Sequence, residues 1–447
     1  MPHVHLPGNV QLYYEIHTSD GRPDLDKPSL LLLAPTFLDA TFLQPYVDEF
    51  KEDYSVVSME LRCQGRSRNP VNADYDFWVA AADIAFTMEA LQLPPSHVFG
   101  AGCEAFQAAL KLALLWPQHV SSLSLVGAPA LFAVPANLEA FEEIDAGWIN
   151  PQDTEHWVEV LGGIGDFCLS RDTYPNWMEV WDAVLPAFAR RHNPYRGRNV
   201  WLHSVPNHRN PGLTPVRLAS IKQPVMFIHG DNDTCYPFEE VRDQTQHFKG
   251  SEDLRFHIME GGGHLVSVSH VPAVIAHMRS FLSRQPFSRL STLPLDAYLA
   301  LQKAASFAND PSIARRNPHH PDSFSLVTPE ELEFGKSELE RYKRQEKECK
   351  VPLPMCFEKD DWEEGADQQR RFTWSTREEY LQRIQGLRPV SSLSVQGISV
   401  EVEEEQVSAQ KPHATAAGGT TSKPSDLPPP VPPKAQVSVG RQRSVEA

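Results

Sequence analysis

From the start of the chain to about Arg284, short aliphatic or β-branched runs alternate with longer stretches whose apolar residues recur at spacings of three and four. This pattern predicts strands over 11–17, 30–34, 55–59, 97–101, 120–126, 225–229 and 255–259. It predicts helices over 42–50, 75–91, 104–116, 239–248 and 268–281. Strand followed by helix, repeated, is the signature of a mostly parallel sheet with helices on both faces. Gly65, Asn232-Asp233 and Gly261-Gly262-Gly263 fall just after strand ends, where the loops of open α/β sheets carry function.

The interval 128–220 breaks the rhythm, being helix-leaning, rich in tryptophan and punctuated by proline. An insertion at this point reads as a lid, with Trp148, Trp177 and Trp181 as lining of an apolar substrate pocket. The plainer role, packing the lid's own small core, is the expected fate of most of its tryptophans. The implied organisation is a core over 1–128 and 221–285, a lid over 129–220, a polar extension over 286–388 and a tail over 389–447. In the extension, Thr328-Pro329-Glu330-Glu331 supplies an N-cap, a first-turn proline and a capping-box glutamate for a helix to about Cys349. Thr376 with Glu379 does the same for a short helix ending near Gly386. In the tail Ser, Glu, Pro and Gly dominate, so burial cannot offset chain entropy and disorder is expected. Within it Pro429, Pro432 and Lys434 match a PxxPxK ligand for a polyproline-binding adaptor domain, the plainer reading being a spacer.

Composition narrows the function. The 447 residues carry a net charge of -17, with 58 acidic against 41 basic side chains, which argues against a general partner role with nucleic acid or anionic membrane. The segment Met1-Pro2-His3-Val4-His5-Leu6-Pro7 lacks the basic and apolar regions of a secretory signal, and no apolar run is long enough to span a bilayer. A cytoplasmic protein is expected. The six cysteines lack paired metal-type spacing and read as free, mostly buried thiols.

Gly100-Ala101-Gly102-Cys103-Glu104-Ala105 lies between a strand and a helix. A strand-to-helix turn that exposes a nucleophile needs small residues two positions before and after its apex. Ala101 and Ala105 meet this requirement around Cys103, whereas an apex at Gly102 would place Glu104 where the backbone packs closely and leave no nucleophile. Cys103 is therefore the expected apex. His264 follows three glycines and precedes a helix, a position from which an imidazole reaches the sheet's C-terminal edge. Asp233 follows the apolar strand 225–229, with Asp231 as the competing acid and helix capping as the plainer role for either. The chain order Cys103, Asp233, His264 is that of a nucleophile, acid and base in one well-known hydrolase arrangement.

Taken in order, these motifs resemble the α/β-hydrolase superfamily over roughly the first two thirds of the chain. Leu31-Leu32-Leu33-Ala34-Pro35-Thr36-Phe37 is similar to the family's oxyanion strand and loop, and Glu60-Leu61-Arg62-Cys63-Gln64-Gly65-Arg66-Ser67 to its Asp-x-Arg-Gly-x-Gly-x-Ser turn. The spacing from Cys103 to Pro117 also resembles the family's spacing from nucleophile to helix-ending proline. The resemblance implies an α/β fold of about eight strands, one more early strand than the pattern shows, with the lid after the sixth. It implies oxyanion donors at the backbone N–H groups of Glu104 and of Thr36 or Phe37. A cysteine nucleophile occurs in dienelactone hydrolases, and implies an ester, thioester or lactone substrate of small size and a Cys103-His264-Asp233 triad. No cofactor and no metal are implied. The departures are Pro35, which has no N–H, and Glu104, whose charge beside a thiolate raises the thiol pKa. A catalytically inactive binding or interaction protein, or an acyltransferase, on the same fold stays open beside the hydrolase.

Overall fold

The computed structural model describes residues 2–35, 37–129, 135–169, 180, 184, 212–285 and 292–350, all within the first of two compact units, Met1–Glu401. The second unit, Val402–Ala447, lies outside the described residues, as do Thr36, Trp177 and Trp181, the helix expected near 376–386, and Pro429, Pro432 and Lys434.

Eight strands form one sheet in the order β1-β2-β4-β3-β5-β6-β7-β8. They are β1 His3–Leu6, β2 Val10–Ile16, β3 Ser29–Leu33, β4 Ser55–Met59, β5 Ser96–Ala101, β6 Val120–Val126, β7 Val225–Gly230 and β8 Leu254–Met259. The β1/β2 and β2/β4 pairs are antiparallel and the rest are parallel. The additional early strand is β1, four residues long, too short for a period of two to register. The interior strands are buried from end to end, as in β3 and β5, which is why they read as apolar runs rather than alternations.

Helices cover both faces. On one, α1 (Gln44–Phe50) and a later helix, Val271–Leu282, bury Tyr46, Phe50, Val274 and Phe281. On the other, α2 (Phe77–Ala90) and α3 (Gly102–Leu115) pack against the sheet, α3 being buried over its whole length. Between β6 and β7 stand α4 (Pro135–Ile149) and α5 (Thr154–Leu169), at the position expected for the lid. Parallel register brings Leu33 opposite Gly100, Ala101 opposite Val126, and Gly230 opposite Met259. The loops after β3, β5, β7 and β8 therefore emerge at one edge.

The segment 292–350 packs on the α2/α3 face. Phe324, fully buried, stands between Trp116 (ring centroids 5.1 Å) and Phe86 (6.2 Å). Two residues earlier, Asp322 Oδ1 is 2.7 Å from Arg62 Nη2, while Arg62 also donates to both oxygens of Asp83 at 2.6 and 2.8 Å. Arg62 is buried, so its charge is tolerable only with such partners. Burial pushes the Asp83 carboxyl up to about 6 against the opposing pull of Arg62. The helix Pro329–Glu348 has the anticipated capping box, and its Tyr342 hydroxyl donates to Asp145 of α4 at 2.9 Å. A helix at Ala297–Ala308 goes beyond the elements read from the sequence, because its buried stripe is mostly alanine and gives little periodic signal. Among the described residues no helix is long and apolar enough to cross a membrane.

Candidate active site

The turn after β5 is tight, and its register differs from the sequence expectation. Gly102 has φ +70°, in the left-handed region, whereas Cys103 has no positive φ and lies in the first turn of α3. A residue with a Cβ pays about 1–2 kcal/mol for that conformation and glycine does not. The close approach falls at Gly100, where an added Cβ would stand 2.8 Å from the carbonyl oxygen of Ala105. Gly100 and Gly102 are thus the constrained pair, and the apex is Gly102, not Cys103.

Glu104, the residue that told against this register, is accommodated by turning into a buried polar cluster. Its carboxylate accepts from the Tyr75 hydroxyl at 2.5 Å and from Gln64 Nε2. The Cys103 side chain, 7 % exposed, faces another way, and the Tyr236 hydroxyl lies 3.7 Å from its sulfur. Burial pushes the Cys103 thiol up to about 12, against the lowering effect of the Tyr236 hydrogen bond, and the Glu104 charge adds to the rise.

That shift gives a pH prediction. A thiol whose pKa is raised stays protonated over the neutral range, so alkylation of Cys103 by iodoacetamide should rise about tenfold per pH unit from pH 7 to 10 without levelling off. Peptide mapping by mass spectrometry measures it. A plateau near pH 8 would mean that a neighbouring base ionises the sulfur.

Asp233 and His264 meet as a pair. Asp233 Oδ1 accepts from the N–H groups of Cys235 (2.8 Å) and Tyr236 (3.0 Å), which turns Oδ2 toward His264 Nδ1 at 2.9 Å. His229 stands behind, its Nε2 at 3.7 Å from the same carboxylate and 2.9 Å from the Tyr236 carbonyl. Asp231 has a different duty, accepting from the Gly261 N–H at 2.7 Å and so tying the β7 loop to the β8 loop. The Asn232 N–H to Gly262 carbonyl bond, 3.0 Å, is a second tie. The histidine loop also reaches the turn: a Cβ added to Gly127 would lie 2.5 Å from the His264 carbonyl oxygen and 3.7 Å from the Gly102 nitrogen.

A sequence profile of the family described as alpha/beta hydrolase fold matches residues 30–155. Among solved structures, the chain is similar to a thermophilic esterase from Thermogutta terrifontis solved with malate bound (18 % identity, covering 64 % of this chain and 99 % of that one, TM-score 0.53). It is similar also to MGS-M2, an alpha/beta hydrolase enzyme from a Medee basin deep-sea metagenome library (16 %, 64 % and 99 %, 0.54). A third is the enol-lactonase from Burkholderia xenovorans LB400 (16 %, 63 % and 100 %, 0.52). The chain has the α/β-hydrolase fold. A comparison with curated protein sequences finds no match.

In the α/β-hydrolase fold the nucleophile stands at the strained apex, and the oxyanion donors are the N–H of the next residue and one from the loop after β3. With Gly102 at the apex, the following N–H is that of Cys103, where the sequence expectation named Glu104. In the β3 loop Phe37 has φ +67°, and its ring packs on buried Trp148 of α4 at 5.5 Å. Trp148, expected as lining of an apolar substrate pocket, packs on the β3 loop through this contact. Of the site residues anticipated, the structure brings together Asp233 and His264 and puts Cys103 beside Tyr236, whose ring lies 5.3 Å from that of His264. Tyr236 and Cys235 were missed. Nothing in periodicity or motif marks them, because their approach to His264 depends on the fold of two separate loops.

Proposed function

We propose that this chain is a binding protein on a hydrolase fold, taking up a small carbonyl-bearing molecule such as an ester or lactone without forming an acyl-enzyme. The observation that carries this reading is the glycine at the apex, which has no side chain to attack a carbonyl. Two features support a carbonyl ligand. The first-turn N–H groups of α3 provide the donor end of a helix, and the Tyr236 side chain stands between the Cys103 sulfur and the His264 ring.

A second reading is favoured by the His264–Asp233 pair at 2.9 Å. In it Cys103 is the nucleophile of an ester, thioester or lactone hydrolase, His264 takes and returns the proton, and Asp233 fixes the imidazole tautomer. The Cys103 sulfur would attack the carbonyl and expel the alcohol, and water would then release the acid.

Hydrolysis of p-nitrophenyl acetate, butyrate and octanoate separates the two. On the binding reading the full chain, Cys103→Ala and His264→Ala turn over at the same background rate. A drop of about 100-fold or more in both variants would establish the cysteine hydrolase instead, since removing a nucleophile or its base costs at least that much.

A further inference from the structure

We propose that Asp233, Cys235 and His264 form a binding site for a thiophilic divalent cation of the zinc class. One donor atom from each of the three lies within 4.8 Å of the other two, and all three residues are buried. Cys235 adds a thiol to the Asp233–His264 pair. Imidazole, thiolate and carboxylate together form a donor set that zinc takes in tetrahedral geometry, with a fourth position left for water or another ligand.

The surroundings are those of a prepared site. Both loops that carry the ligands are tied together through Asp231–Gly261 and Asn232–Gly262, at 2.7 and 3.0 Å. The non-ligating oxygen of Asp233 is held by two backbone N–H groups, the kind of outer contact that orients a metal ligand. The Cys168 carbonyl accepts from the N–H of Leu265, next to His264, at 2.9 Å.

Binding is a simple exchange. The cation takes the sulfur of Cys235 as thiolate and the thiol proton leaves to solvent, while the proton shared by His264 Nδ1 and Asp233 Oδ2 passes to the imidazole's other nitrogen as those two atoms turn to the metal. No oxidant or second reactant is needed. The inference goes with the binding reading, because a bound cation takes the His264 and Asp233 that the hydrolase reading needs as base and orienting acid.

The test uses the untagged full chain, stripped with a chelator and titrated with Zn²⁺ against a chromophoric competitor, and separately with Co²⁺. One zinc per chain and an intense sulfur-to-cobalt charge-transfer band in the near ultraviolet are expected. Cys235→Ser should abolish the band and weaken zinc by more than the roughly 10–100-fold that loss of an outer contact costs. Cys349→Ser, at the far end of the Pro329–Glu348 helix, should change neither. Absence of the band from the wild-type chain overturns the proposal however the variants fold, as does a Cys235→Ser chain that binds zinc like the wild type. Neither readout involves ester turnover, so a failure here is separate from a failure of the proposed function.

Discussion

Gly102→Ser turns this chain into an esterase that forms a covalent acyl-enzyme. The substitution puts a hydroxyl on the one residue of the turn that has the left-handed φ, at +70°, and the loop of His264 meets the backbone of Gly102 across Gly127. His264 is already oriented by Asp233 at 2.9 Å, so a base and its orienting acid are in place. The strain of a Cβ at that φ costs about 1–2 kcal/mol, a sum the turn can bear because Gly100 keeps the strand close to α3. General-base activation of the new hydroxyl should raise p-nitrophenyl butyrate hydrolysis on the order of 10²-fold above the parent chain. A fluorophosphonate probe should label the variant at position 102 and leave the parent untouched. Adding His264→Ala should return the rate to background, whereas adding Cys103→Ala should not. A Gly102→Ser chain that folds and neither labels nor turns over would mean that the imidazole does not face the apex.

Ending the chain at Gln285 should cost it the folded state. The sequence makes the part beyond 285 look like a polar appendage, yet its residues up to 350 complete the core. Phe324 fills the space between Trp116 and Phe86, and truncating a buried phenylalanine costs about 3–5 kcal/mol. The cut also removes Asp322, one of the two carboxylates on buried Arg62, and the Tyr342 hydroxyl that Asp145 of α4 accepts from. Together these losses approach the whole stability of a typical domain, about 5–15 kcal/mol. The shortened chain should be recovered insoluble or without a cooperative melt. Phe324→Ala in the full chain isolates one part: its urea midpoint should fall by the equivalent of about 3 kcal/mol or more at unchanged m-value. A soluble chain ending at 285 with the parent's melting temperature would show the segment to be dispensable.

Much of the fold was legible because its strands announce themselves. The runs at 30–34, 55–59 and 225–229 coincide with β3, β4 and β7 to within a residue, since strands buried on both faces need nothing but apolar side chains. The capping box at Thr328 was legible too, being a local device complete within four residues. The helix at 297–308 was not, because alanine packs well against α3 and yet scores weakly in any periodic reading. For the site, the order of acid and base along the chain was visible, and so was their placement in loops after strands. The choice between Asp231 and Asp233 was not, as both lie in the same turn and differ only in where the fold points them.

The sequence by itself determined the layered α/β architecture, the edge of the sheet that gathers the loops, and the two loops that bring an acid and a base there. Only the tertiary structure decided which residue stands at the apex of the turn. Small side chains at 101 and 105 fit an apex at Cys103, whereas an apex at Gly102 has glycine two positions before it and Glu104 two positions after, so local size points to the other register. The choice rests on where Glu104 goes, and its carboxylate is held by Tyr75 and Gln64, 29 and 40 positions away. A backbone register fixed by partners that distant has no local signature, and here it decides whether a glycine or a cysteine stands at the apex.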